Sequence, residues 1–257
     1  MNKNIKQHLV ETLRKGVRFD GRKLNEFRNI EIETGVSETA EGSSKVKLGN
    51  TIVMAGIKIE MVKPYEDASD EGTLMVNAEF MPMASPHFEQ GPPSIDSIEL
   101  ARVIDRGIRE SETIDVKKLC IIPGEKVWSV GIDIITINDD GNLMDCAGIA
   151  AMAAIKDAVL PKIDEDGNVS YKEHSDEKLP LEKDPISVTV HLIGDQIIVD
   201  PTLVEEKASD ARITVASTNE TIISAMQKGG EKALTIDQVE KMIDLAIEKA
   251  MEIRKTL

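Results

Sequence analysis

The chain has 257 residues, 41% hydrophobic and only 3% aromatic, with a formal charge of −15 and a pI near 4.8. It is long enough for one large or two modest domains, with a core built from Ile, Val, Leu, Ala and 11 Met. No apolar run approaches bilayer length, and the polar start Met1–Gln7 lacks a signal-peptide stretch, so a soluble cytoplasmic protein with no membrane partner is expected.

The negative charge argues against nucleic acid in the far field, because phosphate binding relies on Lys and Arg releasing counterions. A local basic stripe can still bind RNA if the acids are kept elsewhere. Cys120 and Cys146 are too few for a disulfide framework or a metal knuckle, and their apolar neighbours predict two buried thiols. His8, His87, His174 and His191 show no ligand spacing, so neither a metal nor a cofactor is expected.

In chain order, Ile5 to Lys15 reads as a short amphipathic helix with Ile5, Leu9 and Leu13 at steps of four, ended by Gly16. Ile30 and Ile32 then alternate with acids. Ser43–Leu48, Gly49-Asn50 and Thr51–Met61 form a predicted hairpin. Thr73–Phe80 is a strand with Leu74, Val76, Ala78 and Phe80 on one face. Pro82 to Pro93, with four prolines, is a loop.

Ser94 to Ser111 is the first long helix, with Ile98, Ala101, Ile104 (or Val103) and Ile108 as its expected inner stripe. Val127–Asn138 is a strand, and 139–142 (DDGN) a turn. Leu143–Leu160 is an Ala-rich helix, apolar nearly all round and so buried on most sides. Pro161 to Pro185 turns charged and apolar-poor, which marks a domain boundary or exposed loop. Strands follow at Ile186–Ile193, Gln196–Val199, Ala211–Ala216 and Thr221–Met226. A final helix starts at Thr235, where Thr235 and Gln238 fit a capping box. Strands then helices, given twice, make an α+β pattern with two related halves.

Three clusters could carry chemistry. In the helix 99–111 (ELARVIDRGIRES), Arg102, Arg106 and Arg109 fall at i, i+4 and i+7, so all three guanidinium groups project from one face. At one-turn spacing, roughly 5–6 Å, they suit successive phosphates of an extended strand. Alternatively, they pair with Glu99, Asp105 and Glu110 as a salt-bridged surface. A second basic run, Arg14 to Arg28, includes Lys15, Arg18, Arg22 and Lys23, and reads best as an ion-paired turn. Asp200, Glu205 and Glu206 follow a predicted strand, where acids can serve as general acid or metal ligand. A solvated acidic turn is the simpler expectation there.

Several segments, in order, resemble one family: 18–22 (RFDGR), 44–51 (SKVKLGNT), 63–67 (KPYED), the helix 99–111, 127–143, and 199–206 (VDPTLVEE). Together they are similar to the RNase PH-like subunits of the archaeal exosome over nearly the whole chain. The resemblance implies an α+β RNase PH fold, with two βαβα-type halves, mixed sheets and packed helices. The expected divisions are an N-terminal helix and basic turn (1–27), a first domain (28–162), a charged linker (163–185) and a second domain (186–257). It also implies a six-membered ring of three heterodimers, in which one kind of subunit degrades RNA from the 3′ end with inorganic phosphate. The other kind is inactive and completes the RNA path. RNA-binding cap proteins and single-stranded RNA are the further implied partners.

Active members carry a Gly-Thr-Arg or Gly-Ser-type phosphate loop before the buried helix. Here the corresponding run is 140–145 (DGNLMD), in which Leu143 and Met144 replace the hydroxyl and the Arg, and Asp145 adds a repelling charge. A phosphate nucleophile needs preorganised donors, and this stretch supplies none. The acidic position of active members corresponds to Asp200, with Glu206 six residues on. No catalytic residue is therefore expected, and the alternative is an active phosphate-dependent exoribonuclease. In the inactive kind, the first two arginines of the helix contact the RNA backbone. These match Arg102 and Arg106, with Arg109 a further candidate. The 18–22 turn is then structural or a ring contact.

Overall fold

The computed structural model describes residues 3–164, 169–219 and 222–257. Two sheets enclose a central helix. The first sheet places β1 (Ile30–Thr34), β2 (Gly42–Leu48), β3 (Thr51–Val62), β6 (Lys126–Asn138) and β4 (Thr73–Phe80) side by side, and β5 (Cys120–Ile122) pairs with β6. It is mixed, since β4 runs parallel to β6 while its other pairings are antiparallel. The expected hairpin turns at Gly49-Asn50 with Leu48 opposite Thr51, and Gly49 takes φ +59°.

The second sheet runs β10 (Gln196–Val199), β9 (Ile186–Ile193), β11 (Ala211–Ser217) and β12 (Ile223–Gly229), antiparallel throughout. All eight β9 residues are buried, as expected of a strand covered on both faces. Between the sheets lies α3 (Leu143–Asp157), packed on β2 and β3 on one side and β9 on the other. Twelve of its 15 residues are buried, and Ala keeps it thin enough to fit. A single turn, α4 (Leu203–Glu206), follows β10, and the outer face of the second sheet is covered by α5 (Ile236–Arg254), which opens on the predicted Thr235–Gln238 capping box. One continuous apolar core joins both halves. A smaller cluster seats Leu9 and Leu13 of α1 (Lys3–Arg14) on Ile193, Ile198 and Ala208.

The structure corrects several expectations. Helix α3 ends at Asp157 rather than Leu160, and β7 (Val159–Ile163) follows at once. It pairs with β8 (Val169–Lys178), so the stretch 163–185 expected as a linker carries a polar hairpin strand. Its charge masked the strand, because the sequence VSYKEHSDEK offers no alternation of apolar and polar residues to mark a period of two. The strand expected at Thr221–Met226 begins at Ile223 and reaches Gly229, and Thr221 lies outside the described residues. Cys146 is buried but Cys120 only half-buried. No helix among the described residues is long and apolar enough to cross a membrane.

Helix α2 (Ile95–Glu110) is bounded by Ser94, whose side chain accepts from the Ser97 N–H, and by Ser111. Its inner stripe is Leu100, Val103, Ile104, Gly107 and Ile108, not the expected Ile98 and Ala101, and Ile98 is 48% exposed. Gly107 explains the rotation. A Cβ there would meet Ser187 Oγ at 3.3 Å and the Ala216 Cβ at 3.4 Å, so the helix approaches the second sheet through a residue that no apolar count includes.

Candidate nucleic-acid interface

Helix α2 bridges the two sheets, lying on β4 of the first and on β12 and β9 of the second. With Leu100, Val103, Ile104 and Ile108 turned inward, the opposite positions Arg102, Arg106 and Arg109 are exposed. The three arginines differ in their ties. Arg109 donates to Asp105 Oδ1 at 2.6 Å and to the Leu74 carbonyl at 2.9 Å. The Asp105 hydrogen bond, with the charges of Asp105 and Glu110 behind it, raises the Arg109 pKa against the opposing effect of burial. Glu99, a second expected partner, is taken by Arg212 at 2.6 Å. Arg102 and Arg106 make no hydrogen bond or ion pair among the described residues. Two guanidinium groups one turn apart are thus free, and the third is held down. The salt-bridged alternative describes Arg109 alone.

The basic run before β1 is structural. Arg18 is 1% exposed; its Nε donates to Glu205 at 2.9 Å and its Nη1 to the Val199 carbonyl at 3.0 Å. Arg22 and Arg28 each reach the Asp200 carboxylate at 2.7 Å. Asp200 and Glu205 are fully buried, which overturns the expected solvated acidic turn. Their arginine partners lie more than 170 residues away in sequence, so no local pattern reveals the pairing. Burial alone would raise the Asp200 pKa, but hydrogen bonds and charge from Arg28 hold it below its ordinary value. Asp200 is also left-handed, at φ +44°, a strain that its cage of donors offsets.

This cage fixes the loop before α3. Arg28 donates to the carbonyls of Asp140 and Gly141, at 3.0 and 2.9 Å. Gly141, at φ +85°, lies so close to residues 201–203 that a Cβ would meet backbone atoms at 2.6 Å. Asn142, left-handed at φ +59°, donates from Nδ2 to Asp200 at 2.9 Å and to Asp145 at 3.0 Å. Asp145 also accepts the Thr189 N–H at 2.8 Å, which ties α3 to β9. It is wholly buried, and that burial pushes its pKa up to about 8.

The amino terminus of a helix is a ready anion seat, with N–H groups and dipole aimed outward. Here the seat is occupied from within: the Asn142 N–H donates to Glu206 Oε2 at 3.2 Å. Leu143 and Met144 follow, and their side chains form aliphatic wall. A cavity of about 350 Å³ opens beside them, lined also by Phe80, Phe88, Asp96 and Asp139. Among the described residues no cluster of His, Cys, Asp or Glu has the arrangement of a metal site.

Both domains of one family match the chain: 3′ exoribonuclease family domain 1 over residues 26–161, and domain 2 over residues 185–249. This chain belongs to the 3′ exoribonuclease (RNase PH) family. A Methanocella arvoryzae protein named exosome complex component Rrp42 is 47% identical over 98% of this chain and 95% of its own length. One of the same name from Methanothermobacter thermautotrophicus is 45% identical, covering 96% and 92%. Among solved structures, a chain of the Archaeoglobus fulgidus exosome with RNA bound to the active site superposes with a TM-score of 0.92, at 42% identity, covering 98% of this chain and 97% of that one. The RNase PH fold expected from the ordered segments is therefore the fold observed. The buried Arg18–Glu205 and Arg28–Asp200 pairs are the part of this RNase PH chain that its sequence concealed.

Proposed function

We propose that this chain is the non-catalytic RNase PH-like subunit of an archaeal exosome ring. It alternates with a catalytic RNase PH-like subunit as three heterodimers, beneath RNA-binding cap proteins, in the cytoplasm. Arg102 and Arg106 hold the backbone of single-stranded RNA for the partner's 3′-to-5′ degradation, with Arg109 a weaker contributor because Asp105 already holds it. The domains follow the two sheets, with 1–27 preceding a first unit at 28–162, and 163–185 leading to a second at 186–257.

The observation that carries the reading is the Glu206 carboxylate on the Asn142 N–H. A phosphorolytic subunit needs that end of the helix for inorganic phosphate, together with a hydroxyl or Arg from the loop. Here an internal carboxylate sits on the N-cap N–H, and the Leu143 and Met144 side chains supply no donor. Two unpaired arginines on the neighbouring helix then suit a role in binding without cleavage.

Co-expression with the catalytic subunit tests this. A complex of six RNase PH-like chains should form, and phosphate-dependent RNA decay should be faster for the mixture than for either part. Separate elution of the two chains, with no gain in decay, counts against the reading.

A further inference from the structure

We infer that the cavity beside the α3 amino terminus takes an amino-bearing nucleobase, rather than a phosphate. This rests on the proposed RNA-binding role, and it concerns a different surface of α2 from the arginine contacts.

The chemistry of the cavity is inverted relative to an anion site. Its acidic wall presents free acceptors. Glu206 uses Oε2 on the Asn142 N–H, and Oε1 has no partner among the described residues. Asp139 accepts the Gly141 N–H with Oδ1 at 3.0 Å, and its Oδ2 has no partner among the described residues. Asp96, in the first turn of α2, is exposed and makes no hydrogen bond or ion pair among the described residues. The wall's cations are engaged: Arg212 pairs with Glu99, and Lys207 hydrogen-bonds His87 at 2.9 Å. Asn142, 1% exposed, lines the same cavity, and its Oδ1 is a buried acceptor without a donor.

The other walls are flat and apolar. Phe80 and Phe88 sit with ring centroids 4.6 Å apart, and Leu100, Leu143 and Met144 line the cavity beside them. Aromatic faces stack on any base, while neighbouring carboxylates can accept both hydrogens of the exocyclic amino group of adenine, cytosine or guanine, where uracil offers a single N3–H. The volume of about 350 Å³ falls in the range of about 300–1,000 Å³ for small-ligand pockets. A larger cleft of about 720 Å³ adjoins it, sharing Phe80, His87, Phe88 and Asp96, and leads out along the 82–93 loop. Glu99 lies one turn from Arg102 on α2, so a strand whose phosphates follow the arginines passes the cavity mouth.

The occupant is then a base of a bound strand or a free nucleoside, and the test separates them. Adenine and uracil homopolymers of equal length are titrated onto the complex with the catalytic subunit, carrying either this chain or its Asp96→Asn, Glu206→Gln double variant. The expected result is that the double variant loses roughly three- to tenfold of its adenine-polymer affinity and less than twofold of its uracil-polymer affinity. Thermal protection of the complex by adenosine but not uridine, lost in the double variant while polymer binding is unchanged, assigns the same cavity to free nucleosides. Equal effects on both polymers, or no effect of the variant on polymer or nucleoside, overturn the proposal. An Arg102→Ala, Arg106→Ala variant that binds both polymers normally points to failure of the RNA reading itself.

Discussion

The Glu206 carboxylate and the Asn142 backbone N–H meet at 3.2 Å, so the amino terminus of α3 carries its own anion. A seat already filled has no affinity to gain from inorganic phosphate. The thermal midpoint of the chain should therefore not move when phosphate replaces chloride at equal ionic strength and at millimolar concentration, too low for its general salting-out effect. Binding to the folded state would raise it by mass action, so a phosphate-specific rise marks an open cradle.

The free and tied arginines of α2 should separate in salt titrations. Removing one phosphate-binding cation lowers the slope of log K against log salt by about 1. Arg102→Ala and Arg106→Ala should each weaken RNA binding by the complex and flatten that slope. Arg109→Ala should change it less, because Asp105 and the Leu74 carbonyl already hold its guanidinium. Equal effects at all three positions would show that Arg109 leaves Asp105 when RNA binds.

Asp200 is the hub of the loop cage. Replacing it with Ala leaves Arg22 and Arg28 without their shared carboxylate in a largely buried setting. Breaking a buried pair in this way costs about 3–5 kcal/mol, which denaturant unfolding would read as a lower midpoint at unchanged m-value. A loss below about 1 kcal/mol would mean that water reaches the cage.

Two buried groups set opposing pH dependences. His191 is pushed down to about 3, first by burial and then by the Arg212 charge. It stays neutral when folded while the unfolded chain takes up a proton below about 6.5, so its contribution falls as pH drops from 6.5 to 3. Asp145, raised to about 8, keeps its proton when folded while the unfolded chain loses it above about 4, so its contribution falls as pH rises from 4 to 8. The two oppose each other between about 4 and 6.5, and above that Asp145 acts without His191. Stability should decline from pH 6.5 to 8, and Asp145→Asn should flatten that decline whatever it does to absolute stability. An unchanged slope in the variant would show Asp145 ionised in the fold at neutral pH.

The sequence revealed what is local. Ser94 and Ser111 bound α2, Thr235 and Gln238 open α5, and the arginine spacing put three guanidinium groups on one face. It concealed what depends on distant partners. Nothing near Asp200 signals that Arg22 and Arg28 fold over it, so three acids that look solvated are the anchors of the loop. Gly107 was invisible as core because its contribution is the absence of a side chain. The β7–β8 hairpin was hidden by its charge, because β8 carries no apolar–polar alternation in its sequence.

The most direct measurement is phosphorolysis by the purified chain alone, given RNA with a free 3′ end and inorganic phosphate. No nucleoside diphosphate should be released above a protein-free control. Sustained, phosphate-dependent release by this chain without its partner would contradict a seat closed by Glu206 and a loop stripped of donors.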